Sequence, residues 1–204
     1  GDLNGGTGND SFVFSDGVMA FGETANVVNG GSGTDTIDVS AFSTDVLVTL
    51  TGDNADGFTG EIPAAIDAPA PPGVFTGIDN ILAGSSVNDS LLGLNTTATW
   101  QLDGSNTYTD TATFRSLSFA NFEALSGNMM ADTFDITGVQ TINLDGQGGD
   151  DVFRFLDDSA TVDGFVLGDA GIDTLDFSAL SSSATVSVSL SSAGFVDGFD
   201  GSVS

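Results

Sequence analysis

The sequence predicts an all-β fold, a right-handed parallel β-helix: a solenoid of about nine coils. Three observations predict it. The composition favours short strands and tight turns, one long repeat recurs within the chain, and aspartates recur at intervals of about one coil. We expect residues 1–204 to form a single solenoid.

Aspartate and glycine dominate the composition. The 204 residues include 29 acidic side chains, of which 26 are Asp, and 28 glycines, but only two basic residues, Arg115 and Arg154. Asp and Gly suit turns, whereas the helix former Glu is scarce. A formal charge of −27 leaves no basic surface for nucleic acid or for an anionic membrane. Cysteine is absent, so disulfides play no part, and no apolar run approaches the ~20 residues of a membrane span.

This acidity opposes folding, because carboxylates repel one another in a compact chain and each glycine loses much backbone entropy. A divalent cation bound only by the folded state would offset both effects. It would add about 2.7 kcal/mol per site when its free concentration is ~100 times Kd. The alternative interpretation is that the acidity serves solubility or a high-salt habitat.

The chain contains about one and a half copies of a repeat of about 140 residues. The first matched pair is LNGGTGNDSFVF with LDGQGGDDVFRF, and three further pairs follow at almost the same offset. We therefore expect an excerpt of a long repeat array. The matched segments are 3–14 with 144–155, 30–42 with 168–180, 46–50 with 186–190, and 56–60 with 197–201.

Within this repeat, Asp followed by one spacer and a large apolar residue recurs. The mean step is about 23 residues, the length of one coil of a parallel β-helix. We interpret the two long intervals as double steps, and we expect alternate apolar strand residues to fill the interior. The clear copies begin at Asp10, Asp35, Asp89, Asp132, Asp151 and Asp173, and the less complete ones at Asp56, Asp110 and Asp197.

Two segments depart from this pattern. All four prolines fall within residues 61–75, which predicts a loop leaving the solenoid, either passive or partner-binding, because proline removes ladder donors. Residues 99–110 contain the only Trp and the only Tyr. An exposed aromatic pair would stack on sugar rings, whereas the alternation of Trp100 with Leu102 favours an interior position.

The glycine-rich segments carry a resemblance to a known family. Residues 5–13 (GGTGNDSFV) and 30–38 (GGSGTDTID) match GGxGxDxUx, where U is a large apolar residue, and so resemble the nonapeptides of repeats-in-toxin (RTX) proteins. In that family GGxGxD is a calcium-binding turn and xUx is a short strand. Successive turns stack into a parallel β-roll that holds calcium between them. The resemblance therefore implies Ca²⁺ as cofactor, a hard cation that prefers oxygen ligands.

Carried over by position, the resemblance also implies a set of ligands. Gln147 and Asp169 depart from it, since they replace the second glycine, and two further copies retain only the first Gly together with Asp89 or Asp132. The implied carboxylates are Asp10, Asp35, Asp151 and Asp173. The implied carbonyl donors are Gly5, Gly6, Gly8, Gly30, Gly31, Gly33, Gly146, Gly149, Gly168 and Gly171.

RTX motifs usually follow one another directly, whereas here they occur singly, about one per coil. The whole unit resembles the long repeats of giant secreted bacterial surface proteins of the adhesin type. This resemblance implies a calcium-stabilised structural or adhesive module at the cell surface or outside the cell. Its partners would be calcium and either neighbouring copies or surface glycans, with no nucleic acid and no membrane insertion.

Two other functions stay open. Unpaired strand edges would allow copies to assemble into a filament. A β-helix enzyme acting on polysaccharides would need acid and base groups, for which the pairs Asp150/Asp151 and Asp157/Asp158 are candidates. Adjacent strand residues point to opposite faces, so such pairs make poor catalytic dyads, and we expect no enzymatic activity.

Overall fold

The computed structural model describes residues 1–15, 27–63, 73–193 and 199–203. Within these ranges the chain forms 21 strands and no helix, and hence no membrane-crossing helix. The strands belong to two large mixed sheets, which we call A and B. The predicted all-β class is confirmed.

The strand bounds follow the chain in order. The first ten strands are β1 (Leu3–Thr7), β2 (Ser11–Ser15), β3 (Val27–Ser32), β4 (Thr36–Ala41), β5 (Leu47–Asn54), β6 (Gly57–Ile62), β7 (Gly73–Ile78), β8 (Asn80–Leu82), β9 (Ser90–Leu92) and β10 (Ala98–Leu102). The others are β11 (Thr107–Asp110), β12 (Ser116–Ala120), β13 (Ala124–Ser126), β14 (Thr133–Ile136), β15 (Val139–Gln140), β16 (Asn143–Asp145), β17 (Val152–Phe155), β18 (Thr161–Leu167), β19 (Thr174–Asp176), β20 (Val188–Ala193) and β21 (Phe199–Val203).

The chain divides into two compact units, and each contains strands of both sheets. Unit 1 is Gly1–Leu92 with Arg115–Phe122, and unit 2 is Gly93–Phe114 with Glu123–Ser204.

In unit 1, sheet B has the order β2-β4-β8-β12, and the three pairings between these strands are parallel. Phe12, Ile37 and Ile81 occupy equivalent positions on β2, β4 and β8. Sheet A has the order β1-β3-β7-β6-β5-β9, and here β6 is antiparallel to both β5 and β7. The first long interval of the sequence therefore contains a hairpin rather than a second parallel coil.

In unit 2, sheet B has the order β11-β10-β14-β17-β19, and sheet A has the order β13-β16-β18-β21-β20, with β15 also paired to β18. Parallel partners lie 19 to 22 residues apart from β13 to β19. Strand β11 is antiparallel to β10, and β21 is antiparallel to both β18 and β20.

The prediction of parallel stacking throughout is therefore wrong at these hairpins. Two of them reverse at or beside an Asp-Gly pair, Asp56–Gly57 and Asp103–Gly104, whose glycines have φ values of 141° and 89°. Positive φ of this kind is the geometry of a tight reversal between antiparallel strands.

The interior of unit 2 contains a stack of aromatic rings. The Trp100 and Phe134 ring centroids lie 5.7 Å apart, and those of Phe134 and Phe153 lie 4.9 Å apart, with nearly parallel planes. Tyr108 packs its edge against Trp100 at 4.6 Å. All four side chains are at most 1% exposed. The interior position of Trp100 is confirmed, and the alternative of an exposed sugar-stacking pair is wrong.

The proline-rich segment is described only at its ends. Residues 64–72, the centre of the predicted loop, lie outside the described residues. On either side of them, Ile62 of β6 faces Gly73 of β7 in an antiparallel pair. The ends of the 61–75 segment thus belong to sheet A.

The aromatic stack allows a direct stability test. We expect Phe134→Ala to lower the free energy of unfolding by about 3–5 kcal/mol, because it removes a ring packed on both faces and leaves a cavity. The control Phe165→Ala, at a side chain that is 58% exposed, should cost less than about 1 kcal/mol. Urea denaturation measures both, and equal losses would contradict the stacked interior.

Candidate metal centre

Five segments that run from a glycine to an aspartate share one backbone feature at their second residue, and four of them also have a positive φ at the fourth residue, namely Gly8, Gly33, Gly149 and Gly171. We call them the aspartate turns. In each, the second residue has a positive φ, a conformation that only glycine adopts without steric cost. The segments are 5–10, 30–35, 127–132, 146–151 and 168–173, and their second residues are Gly6 (92°), Gly31 (91°), Asn128 (89°), Gln147 (65°) and Asp169 (60°).

Gln147 and Asp169 therefore retain the shape of the glycine that they replace. The turn that ends in Asp132 also has it, through Asn128. The segment that ends in Asp89 does not, since Ser85 has no positive φ.

The carboxylate of each aspartate turn lies against the first glycine of the turn. A Cβ on Gly5 would stand 2.5 Å from Asp10 Oδ2, and one on Gly30 would stand 2.7 Å from Asp35 Oδ2. The approach is closer still in the three turns of unit 2, at Gly127, Gly146 and Gly168. The first glycine is thus required because it leaves space for the carboxylate.

One oxygen of the carboxylate links the turn to the preceding coil. In unit 1, Asp35 Oδ1 accepts a hydrogen bond from the Asp10 N–H at 2.8 Å. Asp79 Oδ2 accepts one from the Asp35 N–H at 2.9 Å. Hydrogen bonds to an ionised acceptor are stronger than neutral ones, so these contacts favour the in-register stacking of coils.

Unit 2 repeats this arrangement over three steps. The Ala98 N–H donates to Asp132 Oδ1 at 2.7 Å, the Asp132 N–H donates to Asp151 Oδ1 at 2.7 Å, and the Asp151 N–H donates to Asp173 Oδ1 at 2.9 Å. The predicted column of aspartates is therefore present as two ladders, one in each unit.

The second oxygen has no protein partner in four of the turns. Oδ2 is buried and accepts no hydrogen bond in Asp10, Asp35, Asp132 and Asp151. Three of these residues are at most 1% exposed. A buried acceptor without a partner costs about 1–3 kcal/mol, and more if it is charged. A proton or a cation at Oδ2 would remove that cost.

Backbone carbonyl oxygens lie near the Oδ2 atoms of two of these aspartates. The Gly30 carbonyl oxygen and Asp10 Oδ2 each lie 2.5 Å from the position of a Cβ on Gly5, so these two oxygens are no more than about 5 Å apart. At Gly127, the nearest atoms to the corresponding position include Asp132 Oδ2 and the Gly146 carbonyl oxygen. Each of these turns thus combines a carboxylate oxygen with a carbonyl of the next turn, the donor types that calcium prefers.

Carboxylates alone do not form the site. Within the residues that the structure describes, no three His, Cys, Asp or Glu side chains converge so as to hold a metal ion. A cation at an aspartate turn would therefore take most of its ligands from glycine carbonyls and water. The donor set fits calcium in kind, with one carboxylate oxygen for each turn.

Asp89 lies outside these two ladders, whereas Asp79 belongs to one of them. Asp89 comes directly before β9 of sheet A, and its Oδ1 accepts from the Val46 N–H at 2.7 Å, a contact of the same kind, while Leu91 of β9 pairs with Val48. Asp79 takes the next position of the unit 1 ladder and was missed, because no glycine run precedes it. Its sequence signal was the Asp79–Ile81 step, which has the same Asp–x–apolar form.

The other predicted markers do not continue a ladder. Asp56 lies in the reversal between β5 and β6. Asp110 pairs with Ala98 across the β10–β11 hairpin and accepts from the Ala112 N–H. Asp197 lies outside the described residues.

Burial raises the pKa of three ladder carboxylates, Asp132, Asp151 and Asp79. It raises the pKa of Asp132 to about 8, where the Asp151 charge adds to the effect and the hydrogen bond from Ala98 opposes it. Burial likewise raises the pKa of Asp151 to about 6, against the hydrogen bond from Asp132 and with the Asp173 charge adding to the rise. The pKa of Asp79 is also raised, mainly by burial.

No family model matches the chain, and no curated protein matches it either. The relation to RTX proteins rests on the motif residues alone.

Alanine substitutions at two nearby glycines test whether the carboxylate requires the space beside the first glycine of its turn. We expect Gly146→Ala to destabilise the protein by about 1–3 kcal/mol, because the new methyl group overlaps the Asp151 carboxylate. Gly148→Ala is the matched control. Its Cβ would make only ordinary contacts with Met129, at 3.6 Å or more, and should change stability by less than about 1 kcal/mol. Denaturant midpoints that shift equally would contradict this role of Gly146.

The buried carboxylates also predict a pH dependence in the absence of divalent cations. Their folded-state pKa values, about 8 for Asp132 and about 6 for Asp151, lie above the ordinary 3.8. The folded state therefore binds these two protons more tightly, and the stability that they contribute is complete below about pH 4 and is lost as pH rises through these values. Asp132→Asn should flatten the fall between pH 6 and 9, in thermal unfolding with a chelator present. A slope unchanged by the substitution would contradict the assignment.

Proposed function

We propose that this chain is a calcium-stabilised structural repeat module of an extracellular or cell-surface protein, with a spacer or adhesive role. The observation that carries the proposal is the set of four buried Oδ2 atoms without a protein partner. Each lies at a turn that begins with glycine and whose sequence, or positive φ at the second residue, resembles the calcium-binding turn of RTX proteins.

We also propose that each unit is a short right-handed parallel β-solenoid, interrupted by hairpins. Parallel partners 19 to 25 residues apart support it, and so does the vertical stack of Trp100, Phe134 and Phe153 at equivalent positions. One interior residue for each coil is the arrangement expected of a solenoid.

Calcium would be held by the ladder aspartates together with glycine carbonyls. In unit 1 these are Asp10 and Asp35 with carbonyls such as that of Gly30. In unit 2 they are Asp132 and Asp151 with carbonyls such as that of Gly146. The cation would supply positive charge to a column in which each coil adds a carboxylate. It would also displace the proton from Asp132, whose pKa is raised to about 8 by burial.

The geometry of the paired aspartates supports a structural role over an enzymatic one. Asp151 Oδ1 accepts from Asp132 in the preceding coil, whereas Asp150 Oδ1 accepts from the Ile172 N–H in the following coil. Their neighbours Asp157 and Asp158 likewise accept from backbone N–H groups on different segments. Each carboxylate is thus engaged by backbone, and the members of a pair have different partners.

Calcium dependence of the melting temperature tests the proposal. At a free calcium concentration ~100 times Kd, each occupied site should raise Tm by roughly 5–10 °C over the chelated protein. Asp151→Asn should reduce this calcium-induced rise, because it removes the charge of one ladder carboxylate. Asp150→Asn, which changes the adjacent exposed carboxylate, is the matched control and should leave the rise intact.

Ionic strength must be matched with NaCl, since screening alone weakens repulsion among surface carboxylates. Magnesium at the same concentration should raise Tm less, because it demands a stricter geometry and keeps its waters. Superimposable melting curves in calcium and in chelator would overturn the proposed function.

A further inference from the structure

Two coils of this chain have matching sequences, but different strands pair with them in the two units. Residues 30–42 and 168–180 have matching sequences. In unit 1 the first copy is covered by residues 73–83, which we call the covering segment. Within it, β7 pairs with β3 in sheet A, and β8 pairs with β4 in sheet B. The described residues contain two such coils and one covering segment.

The covering contact in unit 1 is apolar and in register. Ile81 of β8 lies opposite Ile37 of β4, and the two side chains are 0% and 2% exposed. Asp79, just before β8, accepts the hydrogen bond from the Asp35 N–H. One short segment therefore covers both the apolar column and the aspartate ladder.

The second coil lacks this cover in sheet B. Leu175 of β19 stands at the position of Ile37 and is 37% exposed. On one side it continues the apolar column, since it lies opposite Phe153 of β17. On its other side, β19 is the edge strand of sheet B within the described residues. Phe177, at the position of the buried Val39, is half-buried.

In sheet A, another strand occupies the place of β7. The hairpin β20–β21 is the copy of β5–β6, as the matches of 46–50 with 186–190 and 56–60 with 197–201 show. In unit 1, β6 pairs with β7, which pairs with β3. In unit 2, β21 pairs directly with β18, and the register shifts between Val162 and Val166. The fit of β21 to β18 is thus less regular than that of β7 to β3.

We infer that residues 165–180 form an acceptor for the covering segment of another copy of the repeat. The donor's β8 extends sheet B by pairing in parallel with β19, which places the donor's Ile81 against Leu175. The donor's β7 takes the place beside β18, and β21 moves outward to give the order seen in unit 1. This is strand addition to an exposed sheet edge. It rests on the stacked-coil part of the proposed function and does not involve the cation.

A synthetic peptide of residues 73–83 (GVFTGIDNILA) tests this inference. Fluorescence anisotropy of the labelled peptide should show saturable one-to-one binding to the intact 204-residue chain. The peptide variant Ile81→Asp should bind at least ~10-fold more weakly, because it removes the apolar contact without any effect on the folding of the chain. Leu175→Asp in the chain should have the same effect. The matched control Val87→Asp changes a residue that is 77% exposed and lies outside residues 165–180, and should bind like the unaltered chain.

Two outcomes would overturn the inference. One is the absence of saturable binding, or binding that is unchanged by Ile81→Asp in the peptide. The other is concentration-dependent dimerisation of the chain alone that Leu175→Asp abolishes, since a whole second copy would then cover the edge. Each titration is run with calcium and with chelator, and saturable binding in either buffer supports the inference. Binding without any calcium effect on Tm would refute the proposed function and leave this inference standing.

Discussion

The structure depends on a single contact: an aspartate carboxylate that reaches from one coil to the backbone N–H of the coil before it. In unit 2 this contact recurs at Asp132, Asp151 and Asp173, with N–H to oxygen distances of 2.7 to 2.9 Å. In the aspartate turns, a glycine five residues before the aspartate leaves room for the carboxylate. The same placement buries the second oxygen, so the feature that aligns the coils also concentrates unscreened negative charge inside them.

The burial of these carboxylates connects the acidic composition of the chain with the proposed calcium-binding role. The chain has 29 acidic and two basic residues, and one of the two, Arg154, is engaged by Asp135 in a two-point ion pair on the outer face of sheet B. The other, Arg115, lowers the pKa of Asp79, but two protein cations are too few to neutralise the acidic residues of the chain. A proton neutralises Asp132 up to a pKa of about 8, and under the proposed function a divalent ion would replace that proton. A module of this design is expected to sense both pH and divalent-ion concentration through the same carboxylates.

Much of the fold and of the aspartate ladders was predictable from the sequence, because the strand period and the Asp spacing are local signals. Strands β14 (Thr133–Ile136) and β17 (Val152–Phe155) begin directly after Asp132 and Asp151, two markers of the Asp–x–apolar pattern. The coil count was not predictable from spacing alone, since a long interval fits two parallel coils or one coil with a hairpin. The Asp-Gly pairs at 56–57 and 103–104 were the signal that favoured hairpins. Asp79 was missed because no glycine run precedes it, and the pattern alone did not show that Asp89 leads into sheet A while Asp79 leads into sheet B.

The hairpins have a consequence for how such a repeat can diverge. Trp100 and Phe134 are register partners although 34 residues separate them, whereas Phe134 and Phe153 are partners at a separation of 19. Coil length is thus free to change while the alignment of the interior side chains is kept, because the extra residues fold back on themselves as a hairpin. Insertions and deletions can accumulate in these segments at little cost to folding. Two proteins with the same stacked interior could therefore differ in length and surface so much that their sequences no longer align.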